Sequence, residues 1–528
     1  MWSVNAPLLQ LGGAMTPSHA VIQTPEQLQE LTASFAHATA TESEQHDDNN
    51  RRHRVRMDAT VDKTINRATL GQFFAEALSA NGSQSGVLPL TQPVGNFSMR
   101  AIRVLAVHKD SMTPQRFACL LSALPHTRSL HTLRLEEANR SFPWKLKKLE
   151  LSWLAYALFH PETRASSWRK LVVGNCKLVG DVTVVLQQMG DEKLHSELLS
   201  AANLATLMGV ERQEKKRKRC DDATPTPPSH QAPHQLRLAC IKKDTVIRVG
   251  SGGNAVPLVT IQNMVELEMC AFRSEVWHCV LVPGFGFGWV HQGDVLEEKP
   301  WELELPNARG CSPLTHLELG YPITMAKVLL ILAATGGSLE SLVLESFGLP
   351  SSVLDDVSRL CPGLKSLGIK SSRVSLSRTS LQRYFSQPTT RHLRSLALSW
   401  SVCNHTALLE ILSNSEAYTA IPSLKELRLD KAHYVGQLAA MLDANQTLER
   451  LTIDQWSGSD ASQLLKHHGE VLPSARASIT FLSVIAQLSK QNGGRVFERI
   501  GRDLITLIVK FAAVQREVSI LNAPRFRG

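Results

Sequence analysis

Aromatic residues are scarce in this sequence, 6% of 528 positions, so a single large core built on rings is not expected. No run of about 18 apolar residues occurs, and no membrane-spanning helix is expected. The nine cysteines include no Cys-x-x-Cys pair. Their odd number, their scatter and the apolar surroundings of Cys119 and Cys279 fit buried thiols in a reducing compartment, not a disulfide framework or a zinc site. Met1 to Met15 is uncharged and mildly apolar, without the basic start and sustained apolar core of a secretion signal. The sequence has no GxSxG elbow, no HExxH, no GxxxxGK[ST] loop and no GxGxxG between a strand and a helix. Gly284-Phe-Gly-Phe-Gly lies in a β-type segment and not ahead of a helix, which argues against a phosphate cradle. The pair His467-His468 has no further ligands at metal spacing and reads as polar surface; His108 and His126 stand alone. These absences remove most enzyme classes, and no metal or cofactor is expected.

Leucine is what the chain has in abundance: 74 residues, about one in seven. Thin, repeated leucine layers suit that composition better than one large core. The length suggests two to four domains. Of the net charge of +9, much sits in one run, Lys215-Lys216-Arg217-Lys218-Arg219. A nucleic-acid platform needs basic residues spread over a folded face, so nucleic-acid binding is not expected.

The leucines are ordered. The string Leu-x-x-Leu-x-Leu starts at Leu130, Leu146, Leu314, Leu339, Leu393 and Leu424, and relaxed copies start at Ile102, Trp168, Leu364 and Leu448. From Leu314 to Leu448 the starts are 25, 25, 29, 31 and 24 residues apart. Side chains alternate across a strand, so the second and third leucines of a string point together into a core while the residue between them points out. Helical spacing follows, as in Thr324 to Leu332. One such unit cannot bury its own apolar side, whereas stacked units can. With Trp168-x-x-Leu171-x-Val173-x-x-Cys176-x-Leu178 as the best local match, the chain resembles the leucine-rich repeat superfamily, specifically its strand-plus-helix class seen in ribonuclease inhibitor. That resemblance implies Asn or Cys at the ninth position, satisfying backbone groups in the turn. Cys176 fits, while Phe347, Ser372 and Ser401 depart from it, so the repeats are irregular.

The expected architecture is an α/β leucine-rich repeat solenoid in two blocks. A partly disordered N-terminal region spans 1–95, with a short helix over Thr24 to Phe35. The first repeat block is 96–205. A basic Pro/Thr-containing linker follows at 206–238, then a small β module at 239–298. The second repeat block is 299–475, and a C-terminal helical cap spans 476–528, where Val496 to Val518 reads as an amphipathic helix or helix pair. Whether the two blocks share one sheet is open from sequence. In the β module, strand-like runs separated by glycine turns suggest a small antiparallel barrel. The pattern Trp277-x-x-Val280, a glycine turn and Gly288-Trp289-Val290 resembles the bacterial-type SH3 domain. Trp277, Phe285, Phe287 and Trp289 either line a shallow peptide groove or fill the barrel core.

The outward strand positions form a ladder: His316 and Glu318, Ser341 and Val343, Ser366 and Gly368, Ser395 and Ala397, Glu426 and Arg428, Arg450 and Thr452, extended by Glu345, Asp430 and Asp454. Its middle rungs are small and its last rungs carry both charge signs. Candidate protein-binding residues are Glu318, Trp400, Glu426, Arg428, Asp430, Arg450, Asp454 and Trp456, the tryptophans as anchors; the plainer alternative is a solvated face with the tryptophans packed in turns. The expected function is a non-catalytic scaffold holding a protein partner on the concave face. The alternative is a ubiquitin-ligase substrate receptor, since proteins of that kind pair similar repeats with an F-box. Ile500 to Phe511 has some of the F-box rhythm but lacks its Leu-Pro start.

Lys215 to Arg219 resembles a monopartite nuclear localisation signal, which implies a nuclear import receptor as partner and a nuclear or cytoplasmic location. Phosphate on Thr224 or Thr226, each followed by proline, would set negative charge beside it. Replacing Lys215 to Arg219 with alanine in a fluorescent fusion is expected to lower nuclear intensity; unchanged intensity rules the signal out.

Overall fold

A computed structural model describes residues 19–22, 54–57, 104–107, 114–127, 130–136, 143–200, 236–261, 263–273, 276–301, 312–345, 350, 352–370, 376–399, 405–413, 423–432, 435–445, 447–456, 462–469, 471–472 and 514–520. The chain is an α/β protein in two compact units, 1–338 and 339–528. Lys215 to Arg219, Trp400 and the helix expected over Thr24 to Phe35 lie outside the described residues.

In the first unit, parallel strands run in the order β1 (His19–Ile22), β2 (Arg54–Met57), β3 (Val104–Val107), β4 (Thr132–Glu136), β6 (Lys170–Gly174), β15 (His316–Leu319). The register stacks Leu105, Leu133, Leu171 and Leu317 in one row and Val107, Leu135, Val173 and Leu319 in another. All eight are buried. β15 pairs directly with β6, so everything between them in sequence is inserted between neighbouring strands. Two short strands, β5 (Trp144–Leu146) and β7 (Cys176–Leu178), form a separate parallel pair. Between β6 and β7 the chain turns at Asn175, φ 50°. Next to it the Cys176 thiol donates to the Leu135 and Gly174 carbonyls, at 3.5 and 3.4 Å.

The leucine string at Leu146 is a correction, because Leu149 and Leu151 lie on helix α2 (Lys148–Phe159), after α1 (Pro114–Ala123). Leu151, Leu154, Ala155 and Leu158 recur at helical spacing and are buried. Glu150 accepts the Lys147 N–H at 2.7 Å, closing the first turn. Two shorter helices follow, α3 (Thr183–Gln187) and α4 (Glu192–Leu198).

The inserted segment carries a seven-stranded antiparallel sheet: β8 (Arg237–Ile241), β9 (Thr245–Arg248), β10 (Pro257–Ile261), β11 (Val265–Arg273), β12 (Trp277–Val282), β13 (Gly286–His291) and β14 (Val295–Pro300). Its spatial order is β10-β9-β13-β12-β11-β8-β14. Ile241, Ile247, Ile261, Met269, Val282 and Val290, from six of these strands, share one core. Gly288 is required by close approach, since a Cβ there would lie 2.3 Å from Ile247 Cγ2. Phe285, Phe287 and Trp289 are buried, Phe285 within that core, so none of the three lines an open groove. Trp277 is half-buried, edge-on to His291 at 5.3 Å. The sheet is docked on the helices: Phe287 packs on Trp153 at 5.6 Å, and the Gly284 and Ala271 N–H groups donate to Ser122 Oγ (3.2 Å) and the Leu199 carbonyl (3.0 Å).

The first unit also contains α5 (Met325–Thr335). In the second unit β16 (Ser341–Glu345), β17 (Ser366–Lys370), β18 (Ser395–Leu398), β19 (Glu426–Ala432), β20 (Arg450–Trp456) and β23 (Glu517–Ile520) are parallel and in register. The inward row is Leu342, Leu367, Leu396, Leu427, Leu451 and Val518, all buried. Helices α6 (Val353–Leu360), α7 (Arg378–Phe385), α8 (His405–Ser413), α9 (Val435–Ala444) and α10 (Ser462–Leu465) lie between strands in sequence. On α6, Val353, Leu354 and Val357 are buried, and Asp355 and Asp356 lie on its other side.

The C-terminal cap needs correcting. The described end of the segment expected to be helical is strand: β22 (Val514–Gln515), which pairs with β21 (Val471–Leu472), and β23, which extends the parallel sheet beside β20. Glu517-Val-Ser-Ile alternates polar and apolar, the period of a half-buried strand. Residues 496–513 lie outside the described residues. Arg516, 1% exposed, fixes this last strand. Its guanidinium donates to the carbonyls of Leu448 (3.1 Å), Leu442 (3.0 Å) and Asn445. Leu442 belongs to the last turn of α9, where a cation is favoured by the helix dipole. Arg516→Met is therefore expected to cost about 3 kcal/mol, read as a lower urea midpoint, while Lys466→Ala on the exposed surface leaves it unchanged.

Candidate interaction face and a buried polar cluster

Two places concentrate polar side chains. The first is internal to the first unit. Tyr156 on α2 and His160, which ends that helix, stand one turn apart, and α4 supplies His195. All three meet Glu268 of β11. Tyr156 Oη donates to Glu268 Oε1 at 2.7 Å, His160 Nε2 lies 2.8 Å from the same oxygen, and His195 Nε2 lies 3.4 Å from Oε2. Trp301 covers both imidazoles, with ring centroids 5.6 and 5.2 Å away. Burial would push the Glu268 carboxyl up, but the hydrogen bonds and charge of His160 and His195 outweigh it and hold the group well below the usual carboxylate range. Burial, reinforced by the Glu268 charge, pushes the Tyr156 phenol well above its ordinary value.

A Tyr–His–His–Glu cluster invites a catalytic or metal reading, and the geometry argues against both. The Glu162 N–H donates to His160 Nδ1 at 3.2 Å. The same ring's Nε2 faces Glu268 Oε1 at 2.8 Å, so both ring nitrogens are already engaged within the protein. Among the described residues no group of three or more His, Cys, Asp or Glu is placed to hold one. The hollow beside the cluster, lined by Ser152, Tyr156, Gly190 and His195, has about 10 Å³ of space, enough for one water. The cluster is a fastening between the antiparallel sheet and helices α2 and α4.

The second place is the outward face of the second unit's strands. The register lays its rungs side by side: Ser341, Ser366, Ser395, Glu426, Arg450, Glu517 in one row and Val343, Gly368, Ala397, Arg428, Thr452, Ser519 in the next. Across β16 to β18 the face is a floor of small side chains, with Gly368 buried and Ser366, Ser395 and Ala397 half-buried. A Cβ on Gly368 would come 3.2 Å from Val343 Cγ2. Across β19, β20 and β23 the face is charged, and Glu426, Arg428, Arg450, Asp454 and Glu517 are paired among themselves. Arg450 binds Glu426 and, through Nε at 3.0 Å, Glu517. The hydrogen bond to Glu517 and the charge of Glu426 raise its pKa. Arg428 Nε reaches both oxygens of Asp454, at 3.0 and 3.1 Å. Asp430, half-buried, stands beside Asp454 on the neighbouring strand.

Glu426, Arg428, Asp430, Arg450 and Asp454 thus come together on one face. Glu318 belongs to the first unit, where it lies 3.9 Å from Lys170. Trp456 lies within β20, with its side chain outside the described residues. His467 is buried, 5% exposed, with Nε2 3.7 Å from Asp443, so only His468 of that pair lies on the surface. Glu517 was not among the expected site residues; its signal was the alternation of Glu517-Val-Ser-Ile, hidden inside an apparent helix. Glu268 was also missed, although a carboxylate amid Leu267, Met269 and Cys270 marks a buried polar group.

The folded Glu268 carboxyl titrates well below its unfolded value of about 4.3, so its contribution to stability is complete above that pH and is lost as pH falls from there through the lower folded value. Glu268→Gln is expected to cost about 2 kcal/mol at pH 7 and to flatten the acid-side loss seen in urea midpoints of the parent chain. Equal acid slopes in both proteins would assign that loss to other groups.

No protein-family model matches this chain and no curated protein matches it in sequence, so the functional reading stands on the fold and on the geometry of this face.

Proposed function

We propose that the chain is a non-catalytic scaffold whose two units are irregular leucine-rich repeats of the ribonuclease-inhibitor class, and that it holds a protein partner on the outward face of its parallel strands. Nine of the ten leucine strings fall on parallel strands in matching register, and Cys176 makes the turn hydrogen bonds that its place in the repeat calls for. The antiparallel sheet is read as an SH3-like module inserted between β6 and β15. Phe285, Phe287 and Trp289 are buried, so a peptide groove on it is not proposed.

One observation carries the binding reading. The Ser366, Gly368, Ser395, Ala397 floor lets a partner's main chain or bulky side chains approach the sheet closely, beside an ion-paired rim on Glu426, Arg428, Arg450, Asp454 and Glu517. Binding energy concentrates where large partner side chains are fully desolvated, and a small-residue floor is where that is possible. The rim, exposed and internally paired, contributes little affinity and sets orientation instead. A nuclear location through Lys215 to Arg219 completes the proposal. The F-box alternative gains no support, because the described chain just beyond Ile500 to Phe511 is strand.

Ser366→Arg with Ser395→Arg is expected to remove most proteins captured by proximity labelling with the full chain, whereas Gln382→Arg, on α7 away from the face, retains them. Identical partner sets for all three proteins would refute the face as the binding surface.

A further inference from the structure

Two buried thiols used by neither the docking contacts nor the proposed binding face sit together in the antiparallel sheet. The register of β11 on β12 pairs Met269 with Val280 and then shifts before Arg273 pairs with His278; Cys270 follows Met269 and Cys279 precedes Val280, so both thiols lie at the start of that shift. Both are free thiols, 4% and 0% exposed, and Cys270 is within hydrogen-bonding reach of Cys279. A disulfide bridges Cα atoms roughly 4.4–6.8 Å apart, a span of the order that neighbouring antiparallel strands provide. The ladder is irregular here: the register shifts between Met269 and Arg273, and the Ala271 N–H donates to the Leu199 carbonyl. Fewer cross-strand bonds hold the backbone there, which makes it the place where this strand pair opens most readily.

We propose that Cys270 and Cys279 are a reversible modification site, closing to a cross-strand disulfide by exchange with a small-molecule disulfide of the glutathione type. One protein thiol loses its proton, and its thiolate attacks a sulfur of the small disulfide. That S–S bond breaks, a mixed disulfide forms, and the first small thiolate leaves and takes up a proton. The second protein thiolate then attacks the mixed disulfide at the protein sulfur and displaces the second small thiol. The two cysteines are oxidised by two electrons, the small disulfide is reduced to two thiols, and the two protons pass from the cysteines to the leaving groups. Burial pushes the Cys270 thiol well above its ordinary value, so the exchange runs through transient opening and is slow. Cys270 lies two residues from Glu268 and next to Ala271, so the cross-link falls in the stretch of β11 that fastens the sheet to α2 and α4.

The test uses the folded full chain, incubated with oxidised glutathione, denatured, alkylated with N-ethylmaleimide and mapped by mass spectrometry. The expected result is loss of alkylation at Cys270 and Cys279 together, a linked peptide two hydrogens lighter than the sum of its halves, and full recovery of both labels after dithiothreitol. Buried but single cysteines such as Cys119 and Cys361 stay alkylated throughout. Complete labelling of Cys270 and Cys279 after oxidation, or a linked peptide joining either to another cysteine, overturns the proposal. The same outcome holds for a stable mixed disulfide at one position with no loss at the other. Phenylarsine oxide, which bridges adjacent dithiols, gives a second readout: it is expected to bind the reduced chain and to lose most of that binding in Cys279→Ser.

Discussion

A parallel strand of four or five residues cannot stand alone. Its N–H and C=O groups need a neighbour on each side, and its two or three inward side chains are too few to make a core. Everything regular in this protein follows from meeting both needs at once. When Leu427 sits beside Leu396 and Leu451, the backbone bonds and the apolar row are completed by the same placement, and a slip by one residue would turn every leucine outward. The helices between strands have loose requirements by comparison. They need only an apolar side, which is why α6 and α9 differ so much in sequence yet fill equivalent positions along the chain.

That coupling explains what was legible in the sequence. Strand positions were, because alternation and register act through neighbouring residues: Leu364-x-x-Leu367-x-Ile369 announces both its strand and its inward face. The string at Leu146 failed because three leucines at that spacing also suit a helix, and Glu150 closing on Lys147 decides for the helix. Glu517-Val-Ser-Ile failed the other way, since apolar residues upstream at helical spacing masked a four-residue strand. The outward face was legible as a set of residues but not as an electrostatic state. Arg450 shares Glu426 and Glu517, and Arg428 takes Asp454, only because the register brings residues tens of positions apart onto adjacent rungs.

The contacts that dock the inserted sheet were the least legible. Glu268 lies more than seventy residues from His195 and more than a hundred from Tyr156 and His160, and no periodicity links them. A carboxylate in that position is tolerable only with its partners present, since an unpaired buried charge costs several kcal/mol. The cluster is therefore a specificity device more than a source of net stability. It admits one placement of the sheet on α2 and α4, the one that brings two imidazoles and a phenol to two oxygens. Apolar contacts such as Phe287 on Trp153 contribute attraction but would tolerate a shifted docking.

The same distinction bears on the proposed binding face. Charged side chains that already satisfy one another present a partner with little unmet demand, and breaking Arg450 from Glu517 to make a new pair would roughly exchange one exposed ion pair for another. The floor behaves differently. Ser366, Ser395 and Ala397 are short and half-buried, so a partner's large side chain there would displace water and meet few existing side-chain contacts. On the proposed reading, affinity would depend on how well a partner fills a lane three strands wide, about 10 Å at the usual strand spacing, and the paired rim, unable to reward a wrong charge pattern, would set which way round that partner lies.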